Sequence, residues 1–163
     1  MSNDQFEFVL ATTTQAREAG HPWPEYAACE AALESNYGES QLAREANNLF
    51  GMKAHHETPK NQVLSLPTKE FKNGQWLTTM AWWCKYATVA DCFRDRLATL
   101  RRLAPSLLHY KEALEAQSGE AFVESVSLTW STDPQRAVKV LSIHTQMEEE
   151  IARTPPTEPT KAV

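Results

Sequence analysis

Residues 63–86 are the one stretch of this chain in which side chains alternate with a period of two, and the stretch is centred on Asn73-Gly74. That dipeptide favours the tight hairpin turn. With those two residues as the loop, Phe71 pairs with Trp76 and Glu70 with Leu77, which places Glu70 on the face opposite Phe71. One face of the ribbon is then free to be anchored while the other offers a carboxylate. Everywhere else the apolar residues recur at helical spacing. A ribbon set among helices after the first third of the chain predicts a mainly α domain with a small β-hairpin, an α+β fold, and no internal repeat competes with it.

Helix boundaries follow from the punctuation. Asp4 and Glu7 form a capping-box-like start, and Phe8, Val9, Thr12, Ala16 and Ala19 continue at helical spacing until Gly20. Pro24 suits the first turn of the next helix, an alanine-rich run through Ala27, Ala31 and Glu34. A short helix is predicted over about residues 39–46, broken by Asn47 and Asn48. Beyond the ribbon, Thr88 with Asp91 caps a helix carrying Phe93, Leu97 and Leu100, Pro105 opens another through Leu108 and Leu114, and Phe122, Val126 and Trp130 mark a third. Thr132-Asp133-Pro134 starts the last helix, with Val138, Leu141 and Thr145 predicted on one face. One domain is expected over residues 1–152, followed over 153–163 by a polar, proline-rich tail without apolar period.

At 163 residues the chain is long enough for a core without staples. Its net charge of -5 argues against a nucleic-acid partner held by phosphate contacts. Three cysteines, Cys29, Cys84 and Cys92, cannot all pair within the chain and form no Cys-x-x-Cys unit, so neither a disulfide framework nor a zinc site is expected. His55-His56-Glu57 lacks a third ligand at a recognisable spacing and is read as a solvated loop; no metal and no cofactor are implied. The N-terminus has neither a basic leader nor a long apolar stretch, so no secretory signal or membrane span is expected.

Glu34 is the residue with the clearest chemical argument. It ends the alanine-rich helix, and Ser35-Asn36-Tyr37-Gly38 supplies the turn-formers that stop it. The negative end of a helix dipole disfavours an ionised carboxyl, and an aromatic wall such as Tyr37 would add desolvation. A Glu kept protonated beside a groove is what a general acid needs. Glu30, one turn earlier on the same face, is read as structural.

Glu34-Ser35-x-x-Gly38 followed by Asn48-Leu49-Phe50-Gly51 resembles the signature of glycoside hydrolase family 73, the peptidoglycan N-acetylglucosaminidases. Thr68-Lys69-Glu70-Phe71-Lys72-Asn73-Gly74 resembles the Glu-bearing hairpin of that family, and Trp130-Ser131-Thr132-Asp133-Pro134 its Tyr-Ala-Thr-Asp-Pro segment. The resemblance implies a lysozyme-like fold and cleavage of the β-1,4 bond between N-acetylglucosamine and N-acetylmuramic acid in bacterial peptidoglycan. It implies Glu34 as general acid and Glu70 as the second carboxylate, with Tyr37, Asn48, Phe50 and Trp130 at the substrate. A muramidase or lytic transglycosylase on the same fold, and a glycan-binding or virion structural module without turnover, are the alternatives.

Two positions depart from the family pattern. Trp130 stands where the family has tyrosine, and an indole can stack on a sugar and donate one hydrogen bond but cannot accept one. Cys84 stands where relatives commonly carry arginine, while Tyr86 and Asp95 match and are read as scaffold. A wall hydrolase without its own signal is expected to be a phage or prophage lysin, an exported effector, or a fragment of a longer protein.

Overall fold

The computed structural model describes residues 1–153, without the side chains of residues 69–72. Among these residues there are seven α-helices and one two-stranded antiparallel ribbon: α1 (Asn3–Glu18), α2 (Pro24–Ser35), α3 (Gln41–Ala46), β1 (Val63–Lys72), β2 (Gln75–Cys84), α4 (Val89–Leu103), α5 (Leu108–Leu114), α6 (Gly119–Trp130) and α7 (Arg136–Arg153). No described helix is long and apolar enough to cross a membrane.

The ribbon has the predicted register, Phe71 opposite Trp76 and Glu70 opposite Leu77. Asn73 and Gly74 both take left-handed backbone, φ 51° and 77°, as a type I′ turn requires. Residues 52–54 pair along the other edge of β2: Cys84 N donates to Met52 O, and Ala54 N to Trp82 O, both at 2.9 Å.

α2 explains its own composition. It runs through the middle of the helical body, in contact with α1, α6 and α7, and Ala27, Ala28, Cys29, Ala31 and Ala32 are all fully buried. A helix covered on nearly every side needs small residues so that its neighbours can approach. Ala28, Cys29 and Ala32 join Val9, Phe122, Val126 and Val140 in one core cluster; Ala27 and Ala31 join Leu49, Phe50, Cys92 and Phe93 in another.

Three local expectations are corrected. The first helix is capped two residues earlier, by Ser2 with Gln5 in a reciprocal capping box, because Ser2 is the residue whose backbone is still extended. Pro105 lies in the turn that closes α4, and α5 begins only at Leu108: Leu107 N still reaches back to Leu103 O at 3.0 Å. The buried stripe of α7 is Arg136, Val140, Ile143 and Met147; Val138 is exposed, because the helix enters at Arg136 rather than at Pro134 and its phase is set by what Arg136 reaches. The predicted tail falls outside the described residues except for Arg153.

Candidate active site

The turn after Glu34 is built from the motif itself. Ser35 Oγ donates to Ala31 O at 2.6 Å and accepts from Gly38 N at 2.8 Å, so the Ser-x-x-Gly spacing is the span of one side-chain bridge. Asn36, Tyr37 and Gly38 all have positive φ. A Cβ at Gly38 would lie 2.6 Å from the Phe8 ring, so this position needs both the freedom and the size of glycine. The helix therefore stops one residue past Glu34 and leaves its carboxyl at the rim of the body, one quarter exposed.

What stands beside that carboxyl was not anticipated. Arg136 Nε donates to Glu34 Oε1 at 2.7 Å. The aromatic wall expected from Tyr37 is not what covers Glu34, for the left-handed turn carries the Tyr37 ring onto Phe8, 6.2 Å between centroids, and into a groove between α2 and α7. Behind Arg136 lies Glu30, fully buried, whose Oε1 accepts from Arg136 Nη1 and from Arg96 Nη2, each at 2.9 Å. Burial alone would push the Glu30 carboxyl up; the guanidiniums of Arg96 and Arg136 reverse this and hold it below the usual carboxylate range. Arg136 Nη1 also donates to Ser127 Oγ of α6 at 2.9 Å.

Arg96 lies over two rings at once, 4.5 Å from the centroid of Phe50 and 4.5 Å from that of Trp130. Phe50 and Trp130 meet edge to face at 6.3 Å and line one cavity of about 450 Å³ with Gly51, Lys53, Arg102 and Tyr110. The Ser131-Thr132-Asp133-Pro134 segment opens α7: Asp133 Oδ1 accepts from Gln135 N at 2.9 Å, and Asp133 O from Arg136 N at 3.1 Å, which presents Arg136 in the first turn.

Asn48 is 1% exposed. Its amide nitrogen donates to Met52 O and Cys84 O, and its oxygen accepts from Met52 N, at 2.9, 2.9 and 3.0 Å. Asn47 adds a bond to Tyr86 O at 3.1 Å. The Asn-Asn pair thus stitches the foot of the ribbon to the body, and Asn48 has no surface left for a sugar. Gly51 has φ 63° with the Trp83 ring 3.9 Å from where a Cβ would stand. Cys84 is buried, with its thiol against Lys53 O at 3.5 Å, and Tyr86 OH donates to Asp95 Oδ2 at 2.5 Å.

The structure thus brings Glu34, Phe50 and Trp130 into one contiguous network through Arg136, Glu30 and Arg96. It does not bring Tyr37 or Asn48 to the Phe50–Trp130 cavity. The Glu70 side chain lies outside the described residues; its backbone sits three positions before Asn73 of the turn, opposite Leu77. Sequence reasoning missed Arg96 and Arg136. The signal was there: each is an arginine at a core position of an otherwise apolar helical period, Phe93, Arg96, Leu97, Leu100 in α4 and Arg136, Val140, Ile143 in α7.

The profile of the Glucosaminidase family, described as mannosyl-glycoprotein endo-beta-N-acetylglucosaminidase, matches residues 11–149. The chain belongs to this family. The glucosaminidase domain is 33% identical over 128 residues to the exo-glucosaminidase LytG of Bacillus subtilis, covering 77% of this chain and 44% of the relative. It spans about half the length of the first curated relatives it matches. Its fold matches the glycoside hydrolase domain of Salmonella typhimurium FlgJ, C-terminally truncated, with TM-score 0.70 and 27% identity over 89% of this chain and 98% of that one. The catalytic domain of the autolysin Auto from Listeria monocytogenes matches with TM-score 0.78 and 24% identity over 91% and 86% of the two chains, and shows the same lysozyme-like fold.

Proposed function

We propose that this glucosaminidase domain hydrolyses bacterial peptidoglycan, cutting within the glycan strand at the β-1,4 bond between N-acetylglucosamine and N-acetylmuramic acid. The observation that carries this is the seating of Glu34: a helix-end carboxyl, one quarter exposed, anchored through one oxygen and linked through Arg136, Glu30 and Arg96 to the rings of Phe50 and Trp130. Family membership supports the reaction type, and the peptidoglycan hydrolase FlgJ of Salmonella typhimurium, 29% identical over 94% of this chain and 51% of its own length, supports the substrate class.

In this reading Glu34 protonates the leaving oxygen, which contributes on the order of 10²–10⁴ in rate. Glu70, carried by the ribbon, activates water across the sugar or orients the 2-acetamido group of the substrate. The two routes differ in outcome, since water activated by a base gives inversion and acetamido participation gives retention. Trp130 forms the apolar side of the groove with Phe50, 3% exposed, packed behind it, and Tyr37 contacts the glycan where it leaves along the α2–α7 groove. Asn48 holds the ribbon foot instead of touching sugar. Action at the cell wall belongs to the same proposal.

Digestion of purified peptidoglycan, borohydride reduction and mass spectrometry test the bond. Reduced N-acetylglucosamine ends are expected; reduced or anhydro muramic acid ends assign the domain to muramidases or lytic transglycosylases. Glu34→Gln keeps shape and removes the proton, so turnover is expected to vanish with thermal unfolding nearly unchanged. Wild-type clearing of cell walls by that variant removes Glu34 from the mechanism.

A further inference from the structure

An acid can deliver a proton only from the right place, and Glu34 is anchored through Oε1 alone. A guanidinium directs one carboxylate oxygen only when its own plane is fixed. Arg136 is fixed by Nη1, which donates to Glu30 Oε1 on α2 and Ser127 Oγ on α6. The same Glu30 oxygen holds Arg96, the guanidinium wedged between Phe50 and Trp130. One buried oxygen thus sets two guanidinium planes, one aimed at Glu34 and the other at the two rings. Glu30 and Arg136 are 0% and 1% exposed in their side chains, so neither touches a glycan itself. Packing alone does not call for this arrangement, because apolar residues of similar volume fill such a space at least as stably as buried ions.

We propose that Glu30 and Arg136 are positioning residues for Glu34: the Glu30 carboxylate orients Arg136, and Arg136 holds Glu34 Oε1 so that Oε2 is left for proton transfer. This rests on Glu34 being the general acid.

The test uses Glu30→Gln, which keeps volume and an acceptor oxygen but not the charge, and Arg136→Lys, which keeps the charge but not the fork. Each is assayed on muropeptide oligomers at a temperature where circular dichroism shows the variant folded. A misplacement near 1 Å costs about 100-fold, so kcat is expected to fall about 10- to 100-fold with KM within about twofold. A folded variant of either kind with wild-type kcat overturns the inference. Independently of turnover, the Glu34 carboxyl resonance in carbon-13 glutamate-labelled protein, assigned by its loss in Glu34→Gln, is expected to move in both variants. An unmoved resonance overturns the positioning role whatever the activity, whereas a moved resonance with inert Glu34 faults the acid assignment alone. Ser127→Ala removes just one anchor of Arg136 and supplies the same two readouts should the charge variants not fold.

Discussion

His21 shows how a single buried side chain ties stability to pH. It is 6% exposed, packs edge-on against Phe122 at 5.1 Å, and its Nδ1 accepts from Trp23 N at 3.0 Å. Burial, with Arg96 adding to it, pushes the imidazole down to about 4. Unfolded, the ring takes up a proton as pH falls through its ordinary value of 6.5; folded, it stays neutral to about 4. The unfolded state therefore binds more protons across that window, and the contribution is present above pH 6.5 and lost as pH falls through it. The difference amounts to about 3 kcal/mol at most. In His21→Asn, which still offers Trp23 N an acceptor, urea titrations at pH 7 and pH 4.5 are expected to differ by about 2–3 kcal/mol less than in wild type. An unchanged difference assigns the acid sensitivity to carboxylates instead.

At the scale of the element, the turn after α2 and the ribbon carry the argument. Gly38 combines φ 79° with a Phe8 ring that a methyl group would meet at 2.6 Å, so Gly38→Ala is expected to cost about 1–3 kcal/mol in denaturant unfolding. Turnover should fall as well, since Ser35, Gly38 and the end of α2 move together. For the ribbon, Glu70→Gln is expected to lower turnover strongly with little change in melting temperature, as the loss of the second carboxylate of the proposed reaction. Near-normal turnover of a defined oligomer removes the second carboxylate from the mechanism. The ribbon's register and turn were legible in the sequence because Asn-Gly dictates both locally. The start of α5 and the buried face of α7 were not, since proline is equally at home closing one helix and opening the next, and a helix's phase depends on what its first turn touches.

Across the whole molecule, the buried charges link helices that are far apart in the chain: Glu30 reaches Arg96 and Arg136, 66 and 106 residues away. Glu30→Ala leaves two guanidiniums facing each other without their shared carboxylate, at an expected cost of about 3–5 kcal/mol, a large part of a typical total of about 5–15 kcal/mol. Arg136→Met on top of it should cost less than its own value in wild type, by about 0.5–3 kcal/mol of coupling measured in a double-mutant cycle. Strict additivity would mean that Glu30 and Arg136 do not act as one unit. The sequence by itself determined the helical body, the ribbon with its register, and Glu34 at a helix end, because each follows from chemistry within a few residues. It also sufficed for the family, through short segments in the right order. Which charges meet at Glu34 was decided only in three dimensions. Arg96 and Arg136 are drawn to Glu30 by a Coulomb attraction that has force only once water is excluded, and that exclusion exists only when α2, α4, α6 and α7 have packed around them.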